Sequence, residues 1–221
     1  MGLVYAIANQ KGGVGKTTTT VNLGACIAAL GSQTLAVDLD SQCNSTVALG
    51  LGRDEHPSTY DCLCGETSVA EAARPTPGVD NLWVVPANLD LAGAAVELPS
   101  LENSSYRLRE GLGEVRERFA ATLLDCPPSL GPVTVNALTA ADRVIIPVQA
   151  EFLALEGLVQ FMDTLTTVRK GMNPGLVLTG ILITMSDDRT NLAQDVETEL
   201  RTHFPEPVSY THLTLPTIYS V

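Results

Sequence analysis

The sequence is short of basic residues, aromatics, paired cysteines and long apolar runs, and each shortage narrows what the chain does. Only 13 Lys and Arg stand against 25 Asp and Glu, a formal net charge of −12. Bulk electrostatics therefore do not coat this molecule onto nucleic acid, and only a local basic patch leaves that route open. Aromatic residues make up 5% of the chain, so its 45% apolar content is mostly aliphatic; over 221 residues that suffices for one sizeable core and one α/β domain. The five cysteines, Cys26, Cys43, Cys62, Cys64 and Cys126, are odd in number and lack C-x-x-C pairs or accompanying histidines. They fit a reduced, cytoplasmic chain better than a disulfide framework or a metal site. His56, His203 and His212 are scattered and form no triad pattern. The apolar start "GLVYAIA" is too short to span a bilayer and has no basic flank or cleavage site, so it reads as a buried strand and no membrane insertion is expected.

What is present is an alternation. Apolar runs rich in Val, Ile and Leu at Leu3–Ala8, Thr34–Asp38, Leu82–Val85, Ala121–Asp125, Arg143–Val148 and Val177–Thr184 rarely interleave with polar residues. Continuous runs of this kind suit strands buried on both faces. Helix-length segments separate them at about Lys16–Leu30, Ser105–Phe119, Pro132–Ala140, Leu153–Lys170 and Asn191–His203, with Gly31 and Gly171 as expected C-caps. The pattern predicts an α/β fold with a mostly parallel, twisted sheet covered by helices on both faces. Arg53–Gly78 shows no clear periodicity and is expected to be loop with a short helix near Val69–Ala73.

Lysine is scarce, yet two of the three lysines, Lys11 and Lys16, fall in one glycine-rich stretch, "NQKGGVGKTTTT". It nearly matches the phosphate-loop pattern G-x-x-x-x-G-K-[ST], except that Gln10 replaces the first glycine. The expected nucleotide site runs through Lys11, Gly12, Gly13, Val14, Gly15, Lys16, Thr17 and Thr18. The missing side chains of Gly12, Gly13 and Gly15 let backbone N–H groups converge on phosphate oxygens, beside the positive end of the following helix. Lys16 adds a fixed charge, and Thr17 offers a hydroxyl to Mg²⁺. Strands also deliver Asp38 and Asp40 ("AVDLDSQCNS") and Asp125 ("TLLDCPPS") to the carboxyl edge of the sheet, where open α/β sheets bind ligands. Each aspartate alone also suits a helix N-cap or Asx turn. Together with a phosphate loop they suggest nucleotide hydrolysis, with Asp40 acting on an attacking water and Asp38 and Asp125 organising the metal shell.

The stretches "NQKGGVGKTTTTVNLGACIAALG", "AVDLDSQCNSTVALG", "LLDCPPSLGPVTVNAL", "PVQAEFLALEGLVQ" and "ILITMSDDRTNLAQDV" resemble, in order, the motifs of the ParA/Soj partition ATPases. That family is a deviant Walker A branch of the P-loop NTPases, and the resemblance extends from residue 1 to about 208. It implies ATP and Mg²⁺ as ligands, with Lys16 and Thr17 at the phosphate and metal positions, Asp40 as hydrolytic acid and Asp125 as Walker B acid. Asp38 matches an acidic position of less certain role. It also assigns Lys11 to the phosphates of a second subunit in an ATP-sandwiched homodimer; spacing alone equally allows Lys11 to support its own loop. Non-specific DNA binding in the ATP state, release by a ParB-like centromere-binding partner, and a cytoplasmic, nucleoid-associated location follow from the same resemblance. Arg189 is the matching DNA contact, with Arg169, Lys170 and Arg201 as weaker candidates, although Asp187 and Asp188 make a solvated turn there equally compatible.

A MinD-like membrane-associated positioning ATPase is the alternative reading and would need a C-terminal amphipathic helix. Gln10 and the "DCPPSLG" and "ALEGL" stretches favour partition over it. A ligase of the same fold class is disfavoured by Lys11. After "HFPEPV" the resemblance stops. Residues 209–221, "SYTHLTLPTIYSV", read as a divergent or foreign tail on a truncated partition domain.

Overall fold

The computed structural model describes residues 2–151, 154–186 and 191–203. The expected tail and the DNA candidate Arg189 lie outside them.

The apolar runs become strands β1 (Leu3–Ile7), β2 (Thr34–Asp38), β4 (Leu82–Val85), β5 (Ala121–Asp125), β6 (Arg143–Gln149) and β7 (Val177–Thr184), joined by a two-residue β3 (Arg74–Pro75). They form one sheet in the order β3-β4-β2-β5-β1-β6-β7, in which only the β3–β4 pair is antiparallel. Every residue of β2 and β5 is buried, because helices cover both faces of a parallel sheet. The larger core gathers β1, β5 and β6 with side chains such as Phe119, Phe161 and Leu138; a smaller cluster of Ala28, Ala36, Leu49, Leu82 and Val84 lies under the first helix.

Helix α1 (Lys16–Ala29) carries that first cover. Its approach is close, since a Cβ on Gly24 would meet Leu123 and Leu82 methyl carbons at 3.3 Å. It stops where expected: Gly31, just past the C-cap Leu30, has φ +86° and donates its N–H to Ala28 O at 2.9 Å. Helices α7 (Pro132–Ala140), α8 (Ala154–Gly171) and α9 (Asn191–His203) also occupy the expected segments.

The differences lie in the short elements. Gly171 is the last residue of α8 rather than a left-handed cap. Beyond it the Met172 and Asn173 N–H groups close on Val168 O, and the Asn173 side chain donates to Leu138 O and Ala141 O at the end of α7. Helix α6 covers only Arg107–Val115, because the chain turns at Arg116–Arg118 to bury Phe119 against the sheet. The stretch expected to be mostly loop holds α3 (Thr59–Cys64) as well as α4 (Val69–Ala72), and α2 (Asn44–Ala48) and α5 (Leu91–Glu97) flank it. Helix α3 starts at a local device, Ser58 N–H and O–H both donating to Asp61 Oδ2 at 2.6 and 2.7 Å.

Candidate functional site

The carboxyl ends of β1, β2 and β5 lie in register, Ile7 opposite Asp125 and Asp125 opposite Asp38. This alignment sets two carboxylates side by side on neighbouring strands, Asp125 reaching Thr17, which lines a cleft of about 330 Å³ at the phosphate loop. Gly12, Gly13, Gly15, Lys16, Thr17 and Thr18 form its floor, and Asp40, Gln42, Asn44, Pro128 and Met185 form its walls. Such a volume falls in the ~300–1,000 Å³ range of small-molecule sites.

The loop is shaped for an anion. Gly15, the N-cap of α1, has φ +87° and Gly13 has φ +76°, left-handed backbone that a Cβ would strain. The first turn of α1 has neither a capping side chain nor an acidic residue, so its N–H groups and positive helix end are left facing the cleft. The threonines that follow are satisfied within the helix, Thr19 Oγ1 donating to Gly15 O and Thr20 Oγ1 to Lys16 O. Val14 does not face the cleft: its side chain is buried, and its carbonyl accepts Thr184 Oγ1 at 2.8 Å, tying the loop to β7. Asn9 ties the other side, accepting the Lys11 N–H at 3.0 Å and donating to Pro147 O at 2.6 Å.

The Lys16 side chain is buried and its ammonium donates to Lys11 O at 2.9 Å. Burial lowers its pKa from the usual lysine value, opposed by the nearby Asp125, Cys126 and Asp40. Lys11 points elsewhere, half-exposed and ion-paired with Glu151 just after β6. Asp125 is buried, and its Oδ2 accepts Thr17 Oγ1 at 2.7 Å and Ser45 Oγ at 2.5 Å. Burial pushes Asp125 above the ordinary carboxylate range, partly offset by the Ser45 and Thr17 hydroxyls and by Lys16. A buried carboxylate in this condition, beside a hydroxyl whose proton it already accepts, suits a hard cation.

Asp38, expected in the metal shell, has hydrogen bonds to both of its carboxylate oxygens. Its Oδ2 accepts both the N–H and the hydroxyl of Thr46, at 2.8 and 2.7 Å, and its Oδ1 accepts Asp40 N–H at 3.1 Å. Burial and then the Asp125 charge push it up to about 7, against the pull of the Thr46 bonds. Both oxygens are engaged in shaping the segment that carries Asp40. The Asp40 carboxylate lines the cleft and accepts Gln42 N–H at 3.0 Å. Asn9, Ser45, Glu151 and Met185 lie within the stretches that carry the resemblance, but no residue-level role was read for them from the sequence, and their partners in the fold supply it. Of the DNA candidates, Arg169 and Lys170 are exposed on the last turn of α8 and Arg201 is exposed on α9, and none of them lines the cleft. No helix among the described residues is long and apolar enough to cross a membrane.

Known proteins share this arrangement. A family model described as an AAA domain matches residues 2–178. The chromosome partitioning protein ParA of Caulobacter vibrioides is 49% identical over 210 residues, spanning 93% of this chain and 78% of that protein. The sporulation initiation inhibitor protein Soj of Bacillus subtilis is 47% identical, spanning 94% of this chain and 82% of Soj. Among solved structures, cobyrinic acid a,c-diamide synthase from Mycobacterium smegmatis, with a bound ATP analogue and magnesium, superposes with a TM-score of 0.87 at 40% identity over 92% of this chain and 83% of that one. A phosphate loop, a buried acid behind its threonine and a second acid on the cleft wall thus occur in a chain about half identical to two partition proteins along nearly all of its length, and it belongs to the ParA/Soj family of chromosome-partitioning ATPases.

Proposed function

We propose that this chain binds ATP with Mg²⁺ in the cleft, hydrolyses it, and uses the ATP state to form a homodimer that holds DNA without sequence preference. A ParB-like centromere-binding partner would speed hydrolysis and so release the DNA. The observation that carries the reading is a buried Lys16 beside a Thr17 hydroxyl held by a buried Asp125. Thr17 would hold the metal with Asp125 behind it. A bound Mg²⁺ would supply neutralisation of the phosphate charge. The loop N–H groups and Lys16 bind and orient the phosphates, and Asp40 orients a water and accepts its proton. Asp38 keeps Asp40 in place rather than taking a position on the metal.

Lys11 acts in trans in this reading. Its ammonium is ion-paired with Glu151 in the isolated chain, so it must leave that partner to reach a neighbour's triphosphate. The pair is more than a third exposed on both sides. Such pairs are worth only about 0.2–1 kcal/mol, so the exchange costs little. Dimerisation doubles whatever basic surface the acidic chain possesses, with Arg189 and the α8 cations Arg169 and Lys170 as the proposed contacts, and places the protein on the nucleoid in the cytoplasm. Fluorescence anisotropy with duplex DNA of arbitrary sequence tests this. Binding should require ATP, be absent with ADP, and weaken steeply with added salt. Equal binding without nucleotide would sink the reading.

A further inference from the structure

Side-chain hydrogen bonds fix the segment bearing Asp40 at two points. On the strand side, Asp38 accepts Asp40 N–H and both donors of Thr46. The chain then turns, Cys43 N–H donating to Asp40 O at 2.9 Å, into the five-residue α2. That helix has no capping side chain, and its N-cap Cys43 sits at φ 58°. So short an element does not hold its own position, because forming one turn fixes several dihedrals for a single hydrogen bond. The second fixed point is Ser45, wholly buried, whose hydroxyl crosses to Asp125 Oδ2 at 2.5 Å. The same oxygen accepts the Thr17 hydroxyl at 2.7 Å.

We infer that Ser45 is a positioning residue for hydrolysis, clamping α2 and the Asp40 segment to the carboxylate oxygen that also holds Thr17. This inference rests on the proposed role of Asp40. Oδ2 of Asp125 is a single oxygen bonded both by the helix that follows the phosphate loop and by the segment that carries the hydrolytic acid. Without the Ser45 bond, the side-chain hydrogen bonds that hold α2 to the sheet are those of Thr46, whose hydroxyl donates to Asp38 and accepts Ala87 N–H at 2.9 Å. Thr46 fixes the segment to the β2 and β4 side of the sheet. Leu39 N–H, donating to Asp125 O at 3.0 Å, ties the backbone just before Asp40 to β5, and Ser45 ties α2, just after it, to the Asp125 side chain that also holds Thr17; the two bonds bracket the acid and set its distance from the phosphate site.

Ser45→Ala tests this in the full chain. Alanine is the better helix former, so the hydroxyl is lost while the helix is retained. The maximal rate of phosphate release with MgATP should fall about tenfold, the mild end of the ~10²-fold that a 1 Å misplacement costs. KM for ATP and the affinity for ADP should stay within about twofold, since the loop N–H groups and Lys16 are untouched. An unchanged maximal rate overturns the inference, and so does a parallel loss of ADP affinity, which would make Ser45 a general support. Asp40→Ala in the same assay separates the two claims: if it is fully active, the reading of Asp40 fails. If it is inactive while Ser45→Ala is unaffected, only the role of Ser45 fails.

Discussion

At the scale of single residues, Lys11 and Lys16 show how similar side chains in one loop receive different tasks. Lys16 is buried on its own loop and stays there, donating to the Lys11 carbonyl. Lys11 is at the rim with its ammonium on Glu151, available to leave. Lys11→Ala should therefore keep most of the monomer's ATP binding, lose ATP-dependent dimerisation, and change stability by no more than about 1 kcal/mol, as expected of an exposed ion pair. Light scattering with and without ATP reads the mass; an undiminished dimer refutes the trans role. The loop itself was legible because glycine, lysine and threonine at fixed offsets carry a mechanism. Glu151 and Ser45 were not: each acts through a residue far along the chain, Lys11 140 positions away and Asp125 80 positions away.

At the scale of elements, the strands of the parallel sheet and the long helices were readable, and of the short helices only α4, expected near Val69–Ala73, was. Strands β2 and β5 announce themselves because burial on both faces demands unbroken apolar runs. Helices of four to seven residues, such as α2 to α5, have too few turns to show a period, and only their caps speak for them. "STYD" before α3 is such a signal, a serine followed three residues later by an acid. Burial alone would push Asp61 up, but the Ser58 hydroxyl and N–H together with His56 outweigh it and hold the carboxyl below its ordinary value of 3.8. A carboxyl depressed in the folded state stabilises above the unfolded value, and that contribution is lost as pH falls below about 3.8. Asp61→Asn should cost about 0.5–2 kcal/mol at neutral pH, as lost caps do. Urea melts at a series of pH values should show the gap to the wild type closing in acid; a gap independent of pH would remove the charge from the account.

At the scale of the whole molecule, the sheet order places β5 between β2 and β1, and that insertion brings Asp125 between Asp38 and the end of β1. The larger core that supports this edge lies under α7 and α8, around Phe161. Phe161→Ala should cost about 3–5 kcal/mol, a large share of the ~5–15 kcal/mol typical of a domain. A urea midpoint shift measures the loss, and ADP affinity below the transition should be unchanged, because Phe161 lies outside the walls of the cleft; a matching loss of affinity would mean that core and cleft are not separable. The sequence by itself determined the strands, the long helices and the phosphate loop, since those depend on hydrophobic runs and local backbone geometry. It also determined the family, through ordered motifs. Only the tertiary structure decided that Asp38 meets Asp40 and Thr46, that Ser45 meets Thr17 on one carboxylate oxygen, and that Lys11 rests on Glu151. The physical reason is that hydrogen bonds and ion pairs reach only a few ångströms, and which residues come that close is fixed by strand order, not by separation along the chain.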